Sequence, residues 1–382
     1  MKLLLVIPSL DGGGAERVMT TLANAWVGDG HEVTLVTLAA GLDDKYKLDA
    51  AVRRVALDVT GRSATPVDAI GHNLTRIRAL RREISLAEPD AVVSFLTRTN
   101  VLVLIAAGKL RGRVIVSERS APGTRWVGGV WRALARPLYR RAAAVVAQTR
   151  RCADQLEALV GRAVEVIPNP VAAAPACDGA TIAPSADRDG PRTVLAVGRL
   201  VPKKGFDLLI AAFAQVAQRH PAWRLEIVGE GRLRHALART IQDHGLADRI
   251  TLPGFIKNVR ETMQRADLFV LPSLIEGFPN ALLEAMAEGR ACISFDCEMG
   301  PRELITHGEN GWLVPTGDTR SLAVALDMLM QDDALRAELG ARAREVCDLY
   351  STGEILGRWN ALLARIATAR VPHAAAAARR MV

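Results

Sequence analysis

No apolar run in the sequence could cross a bilayer: the longest, VLVLIAA (101–107) and AAAVVAQ (142–148), fall far short of the roughly 20 residues a membrane helix needs. Paired cysteines are missing as well. Cys152, Cys177, Cys292, Cys297 and Cys347 are odd in number and scattered, without C-x-x-C or Cys/His spacing. That pattern excludes a disulfide framework and a zinc cluster, and reads as reduced cytosolic thiols, with Cys292 and Cys297 as small core residues around ISF. Aromatic residues make up only 4% of the chain, few stand among the arginines, and no nucleic-acid module is recognisable. Apart from the alanine-rich VPHAAAAARRMV there is no low-complexity tract. The opening MKLLLVIPSL has one lysine and a short apolar core, then DGGGAER instead of a small-residue cleavage site, so it reads as a first buried strand and not as a secretion signal.

What is present is enough chain for two domains, 382 residues against roughly 100–200 for one. With 49% apolar and 24% charged residues, each half can bury a core. The net charge of +8 lies entirely in the first half: residues 1–175 carry 24 Lys and Arg against 16 Asp and Glu, whereas 176–382 carry 25 of each. Within 76–151 the imbalance is 16 basic residues to 4 acidic. Such a surface suits an anionic partner, whether lipid, nucleic acid or phosphorylated substrate.

Strand-like runs alternate with helix-period segments from the start: KLLLVIPS, ERVMTTLANAWVGDG, HEVTLVTLA. Further strands are expected at 90–96, 113–118, 143–148 and 164–169, then at 193–200, 223–231, 249–255, 268–273, 291–296 and 311–315. Alternation of this kind predicts βαβ units around parallel sheets, hence an α/β chain of two doubly wound domains. AAAPACDGATIAPSADRDGPR (172–192) has neither period and reads as a linker. The expected division is 1–175, a linker at 176–192, a second domain at 193–355, and a C-terminal helix and tail at 356–382 that crosses back to the first domain. Open α/β sheets bind ligands beyond the carboxyl ends of their strands, so a cleft between the domains is the expected site.

Two segments carry the chemistry. VGRLVPKKG ends a strand at Gly198 and starts a helix near Phe206, presenting Arg199 and Lys204 beside helix N-terminal amides, a set suited to a diphosphate. Lys203 reads as a solvated loop residue. LIEGFPNALLEAMAEG places Glu276 on a loop, Pro279 at a first helical position and Glu284 about a turn and a half into the helix. Carboxylates so spaced can accept from vicinal hydroxyls at both ends of a ligand whose phosphates rest on the helix start. Glu284 reads equally as an ordinary surface position of that helix.

Together with GGGAER, VIPNPV, VGEG, LPGF and GPRELITHGENGWLVP, the GRLVPKKG loop and the E-x7-E unit EGFPNALLE resemble the family-four retaining glycosyltransferases, which use nucleotide-sugar donors on the GT-B fold of two Rossmann-like domains facing across a cleft. The resemblance runs almost the full length. It implies that Glu276 holds hydroxyls of the donor sugar, Glu284 the ribose hydroxyls, and Arg199 and Lys204 the leaving diphosphate, helped by backbone amides around the stretch Gly277–Ala281, in which Phe278, Pro279 and Asn280 also border the donor. Gly198 would belong to the donor site, Gly229–Gly231 and Pro253–Phe255 would border the base, and Gly13 and Gly14 would allow close backbone approach to phosphate or acceptor. Glu16, Arg17 and Arg119 would face the acceptor. Because cations and helix dipoles supply the field at the departing diphosphate, neither a metal nor another cofactor is expected.

Many relatives carry a histidine in the first domain where this chain reads Glu118, Arg119 and Ser120. Arg119 binds an acceptor phosphate or pairs with Glu118. RWVGGVWRALARPLYRR (125–141) sets Trp126, Val130, Trp131, Leu134 and Leu138 at helical spacing among Arg132, Arg136, Arg140 and Arg141. This suits a helix in an anionic membrane interface, or one packed on the first domain and kinked at Pro137. The resulting expectation is a peripheral enzyme at the inner face of the cytoplasmic membrane. It would move a hexose or N-acetylhexosamine from a UDP-linked donor to a polyprenyl-diphosphate-linked glycan. A sugar-nucleotide epimerase or a phosphorylase on the same fold, and a degenerate membrane-bound scaffold, are the competing readings. A nicotinamide dehydrogenase is disfavoured because Arg17 stands where G-x-G-x-x-G needs a small residue.

Overall fold

The computed structural model describes residues 1–41, 44–61, 65–119, 128–171 and 190–368. The chain forms two compact units, Met1–Pro170 with Ile355–Val382, and Val171–Glu354.

The first unit is built on a seven-stranded sheet: β1 (Lys2–Ile7), β2 (Glu32–Thr37), β3 (Arg53–Ala56), β4 (Ala91–Phe95), β5 (Val114–Ser117), β6 (Ala144–Ala147) and β7 (Glu165–Val166). Their order is 3-2-1-4-5-6-7 and every pairing is parallel. Helices cover both faces of such a sheet, which is why β1, β4 and β5 are runs of Leu, Val and Ile without alternation. The edge strand β3 has the sequence RRVA and no apolar run, so sequence periodicity gave no sign of it.

The second unit repeats the plan in β8 (Arg192–Val197), β9 (Trp223–Val228), β10 (Ile250–Gly254), β11 (Leu268–Leu271), β12 (Ala291–Phe295) and β13 (Trp312–Val314), in the order 10-9-8-11-12-13. In both units the order reverses beside the first strand, at β1/β4 and at β8/β11. Loops after these strands diverge to opposite faces, leaving a crevice at the carboxyl edge.

The core of the first unit is closed by Trp359 from the helix Thr352–Thr368. Its ring is fully buried, edge-on to Trp26 at 6.2 Å and tilted against Phe95 at 6.2 Å. Trp26 donates its indole N–H to Asn360 Oδ1 at 2.8 Å, whereas the buried Trp359 Nε1 has no hydrogen-bond partner. Trp359 therefore acts through ring contacts, including the Arg119 guanidinium 6.0 Å from its centroid, and through no hydrogen bond of its indole nitrogen. Trp359→Ala is expected to cost about 3–5 kcal/mol in urea unfolding, and Trp359→Phe clearly less, because no hydrogen bond is lost with the indole nitrogen.

Candidate active site

In the second unit the loops after β8, β9, β10 and β11 converge. Gly229 makes the first close approach: at φ +143° its Cα faces the Gly198 carbonyl, which a Cβ would strike. Its N–H donates to the Gly254 carbonyl at 2.8 Å, and the Gly198 N–H donates to Val228 O at 3.0 Å, so three strand ends are tied together. The missing side chain at Gly198 also leaves room for Lys204, whose Cε would lie 3.4 Å from a Cβ there. Leu200 N–H bonds Glu230 O at 2.9 Å, past Gly231. Phe255, just beyond β10, is exposed.

A short 3-10 turn, Pro202–Lys204, then leads into the helix Phe206–Val216 through Gly205, which adopts φ +61°. A Cβ at Gly205 would run into the Pro272 carbonyl. The close approach is sealed by Leu274 N–H donating to Lys203 O at 2.9 Å. The β8 loop is thereby held against the β11 loop, and Lys204 Nζ pairs with Glu276 Oε1. Both side chains are largely withdrawn from solvent, 17% exposed for Lys204 and 9% for Glu276. Two residues expected at one site from separate sequence segments thus touch.

Arg199 projects outward and is exposed. Lys203 differs from its reading as a solvated residue: it is half-buried. Burial pushes its ammonium below the ordinary lysine range, the Glu276 carboxylate pulls it back up, and Lys204 and Arg199 push it further down. Cys297 lies against the same carboxylate, and burial, with the Glu276 charge second, raises its thiol to about 12. It is a neutral thiol at physiological pH.

The helix Asn280–Ala287 follows Glu276. Pro279 stands at its cap instead of at the first helical position expected for it, and the helix begins one residue later. The Asn280 N–H donates to Phe278 O at 3.1 Å, leaving Ala281 and Leu282 as first-turn amides without an intrahelical acceptor. The Phe278 ring packs inward on Tyr350 at 5.9 Å, so only its backbone can meet a ligand. Gly277 is half-buried on the loop, and Gly300, at φ +95°, packs against the Pro279 ring. Glu284, the fifth helical residue, is half-buried with Oε1 shielded from solvent. The GENGW stretch serves the scaffold: Asn310 Oδ1 accepts from Thr306 N–H at 2.8 Å, and His307 Nδ1 accepts from Leu313 N–H at 3.1 Å.

In the first unit, Gly13 caps and Gly14 opens the helix Gly14–Gly28. Glu16 is engaged locally, accepting from Gly13 N–H and from Ser9 Oγ at 2.8 Å. Arg17 is half-buried behind it, its guanidinium lowered by burial. Arg119 is buried, stacked 3.5 Å above the Phe95 ring, and donates to Asn169 Oδ1 at 2.6 Å. Burial lowers it to about 9. Glu118 accepts from Thr97 at 2.8 Å and from Tyr139, and Asn100 joins Tyr139 at 3.1 Å. This polar core was not visible in the sequence. Ser120 and Trp126 fall outside the described residues.

Among the described residues no group of His, Cys, Asp and Glu could hold a metal ion, and no helix is long and apolar enough to cross a membrane. Chemically, the second-unit site offers an exposed guanidinium, two lysines and helix first-turn amides for an oxyanion, with carboxylates for hydroxyls. Since Gly205 combines a left-handed backbone with contact to Pro272, Gly205→Ala is expected to lower stability by more than about 1 kcal/mol, read as a lower urea midpoint.

The sequence matches two family models, glycosyl transferase 4-like domain over residues 13–170 and glycosyl transferases group 1 over 180–346. It is 31% identical over 355 residues to a phosphatidyl-myo-inositol mannosyltransferase of Mycolicibacterium smegmatis, covering 88% of this chain and 86% of that one. A Campylobacter jejuni protein named GalNAc-alpha-(1->4)-GalNAc-alpha-(1->3)-diNAcBac-PP-undecaprenol alpha-1,4-N-acetyl-D-galactosaminyltransferase is 28% identical over 97% of this chain and 100% of its own. The match to other curated relatives covers less of their length, 30% of one and 49% of another. Among solved structures, Anabaena Alr3699/HepE in complex with UDP superposes with a TM-score of 0.78 at 20% identity, over 96% of this chain and 100% of that one. The fold is GT-B, and the chain belongs to the group 1 glycosyl transferases.

Proposed function

We propose that this chain is a retaining glycosyltransferase that moves a hexose or N-acetylhexosamine from a UDP-linked donor to a glycan carried on a polyprenyl diphosphate. The observation that carries the reading is the meeting of Lys204 with Glu276 where the β8 and β11 loops join, beside the first turn of Asn280–Ala287. In the reaction the bond between the anomeric carbon and the diphosphate oxygen breaks. Negative charge grows on that oxygen, and Arg199, Lys204 and the Ala281 and Leu282 amides stabilise it. The acceptor hydroxyl bonds to the anomeric carbon on the face the diphosphate leaves, and its proton passes to the departing phosphate oxygen. Glu276 accepts from hydroxyls of the transferred sugar, Glu284 from the ribose, and Gly229, Gly231 and Phe255 border the base. The UDP bound to the Anabaena protein and the undecaprenol diphosphate named for the Campylobacter relative support the choice of donor and acceptor.

A membrane surface belongs to the same proposal. The helix Gly129–Tyr139 turns Ala135 and Tyr139 into the first unit and leaves Val130 71% and Leu134 40% exposed, with Arg132 and Arg136 also outward. Trp131 is half-buried under Arg98, whose Cζ lies 5.8 Å from the ring. On the helix Pro66–Ala87, Val67, Ile70 and Leu74 are exposed, a second apolar stripe that the sequence reading passed over. Apolar side chains beside guanidinium groups suit an anionic interface.

Thermal-shift titration with UDP, GDP and ADP and their sugars tests the donor assignment: one nucleotide series should raise Tm, and no shift with any would end the reading. Lys204→Ala and Arg199→Ala should each lower kcat/KM by about 10²–10³, the loss seen when a charge-stabilising donor is removed. In flotation at low salt the protein should rise with anionic but not neutral liposomes, and Arg132→Glu with Arg136→Glu should abolish it.

A further inference from the structure

Glu276 occupies Lys204 in the free protein, and any diphosphate that comes to Lys204 must take it from that carboxylate. We infer that Glu276 sets the discrimination between the intact nucleotide sugar and the free nucleoside diphosphate by competing with the diphosphate for Lys204. The inference rests on the donor site proposed above.

The surroundings enforce the competition. Glu276 pairs with Lys204, and its charge, with those of Lys204 and Arg199, also acts on the half-buried Lys203 of the β8 loop. Its carboxylate is largely withdrawn from water, so it gains little by turning out to solvent when Lys204 is taken away. Lys204 is equally confined: Gly198 on one side and the left-handed Gly205 pressed on Pro272 on the other fix where its chain runs.

A nucleotide sugar compensates Glu276 for the lost lysine with sugar hydroxyl donors. A free nucleoside diphosphate does not: it takes the paired lysine, returns no sugar hydroxyl donor to the carboxylate, and brings further negative charge close to it. The site therefore holds the donor more firmly than the spent nucleotide, and Glu276 reclaims Lys204 as the product leaves. Glu276 thus assists both sugar binding and product release.

The test is calorimetric titration of the free nucleoside diphosphate, with UDP, GDP and ADP as probes, into the full chain and its variants. Glu276→Gln keeps the shape and removes the charge. It should bind the nucleoside diphosphate about tenfold more tightly, equivalent to about 1.4 kcal/mol, while kcat/KM for the nucleotide sugar falls. The gain should vanish in Glu276→Gln combined with Lys204→Ala, because the contested lysine is absent. Glu276→Ala should show the same direction and carries the test if the glutamine variant fails to fold. Unchanged or weaker nucleoside diphosphate binding in a folded variant, or a gain that survives removal of Lys204, would overturn the inference. If the parent chain bound none of the three probes, the donor site itself would be wrong, which is a separate result.

Discussion

The second unit is organised around one ion pair, Lys204 with Glu276, and around the backbone contacts that force it. Withdrawing two charges from water is costly and repaid only in good geometry, so a buried pair is a weak source of stability. Its value here lies in what it requires. Gly205 must lie against Pro272, Leu274 must bond Lys203, and Gly198 must leave space for the lysine chain. Each condition ties the β8 loop to the β11 loop at the point where the strand order reverses. A doubly wound sheet creates a crevice there by topology alone, and these residues give it charge.

The two units share a plan and use it differently. At its carboxyl edge the second unit collects cations and a carboxylate beside a helix start. The first collects Glu118, Tyr139, Asn100 and Thr97, which hold one another, and beside them Arg119. Arg119 stacks on Phe95 and bonds Asn169, so its visible partners are interior. Glu16 likewise spends its carboxylate on Gly13 and Ser9. Tyr139 belongs both to this polar core and to the helix whose outer face carries Val130 and Leu134.

Most of the fold was legible because fully buried parallel strands leave uninterrupted apolar runs, and among the described residues twelve of the thirteen strands announce themselves that way or by their turns. RRVA at β3 does not, since an edge strand with a partly wet surface needs no such run. In the site, Arg199, Lys204, Glu276 and Glu284 could be named from spacing around glycine and proline. That Lys204 would reach Glu276 could not, because it depends on Gly205 meeting Pro272 across 67 positions of sequence. The half-burial of Lys203, the inward turn of Phe278 and the helix beginning at Asn280 are tertiary outcomes of the same kind. The apolar stripe of Val67, Ile70 and Leu74 was present in the sequence, but periodicity alone does not separate a stripe turned to the core from one turned to solvent.

The central claim is that the β8 and β11 loops of the second unit grip a sugar diphosphate. A crystal structure with an intact nucleotide sugar bound tests it most directly. The account predicts diphosphate oxygens within hydrogen-bonding distance of Lys204 Nζ and the Arg199 guanidinium, with Glu276 turned to the sugar hydroxyls. A diphosphate lodged elsewhere while Lys204 and Glu276 remain paired would contradict it.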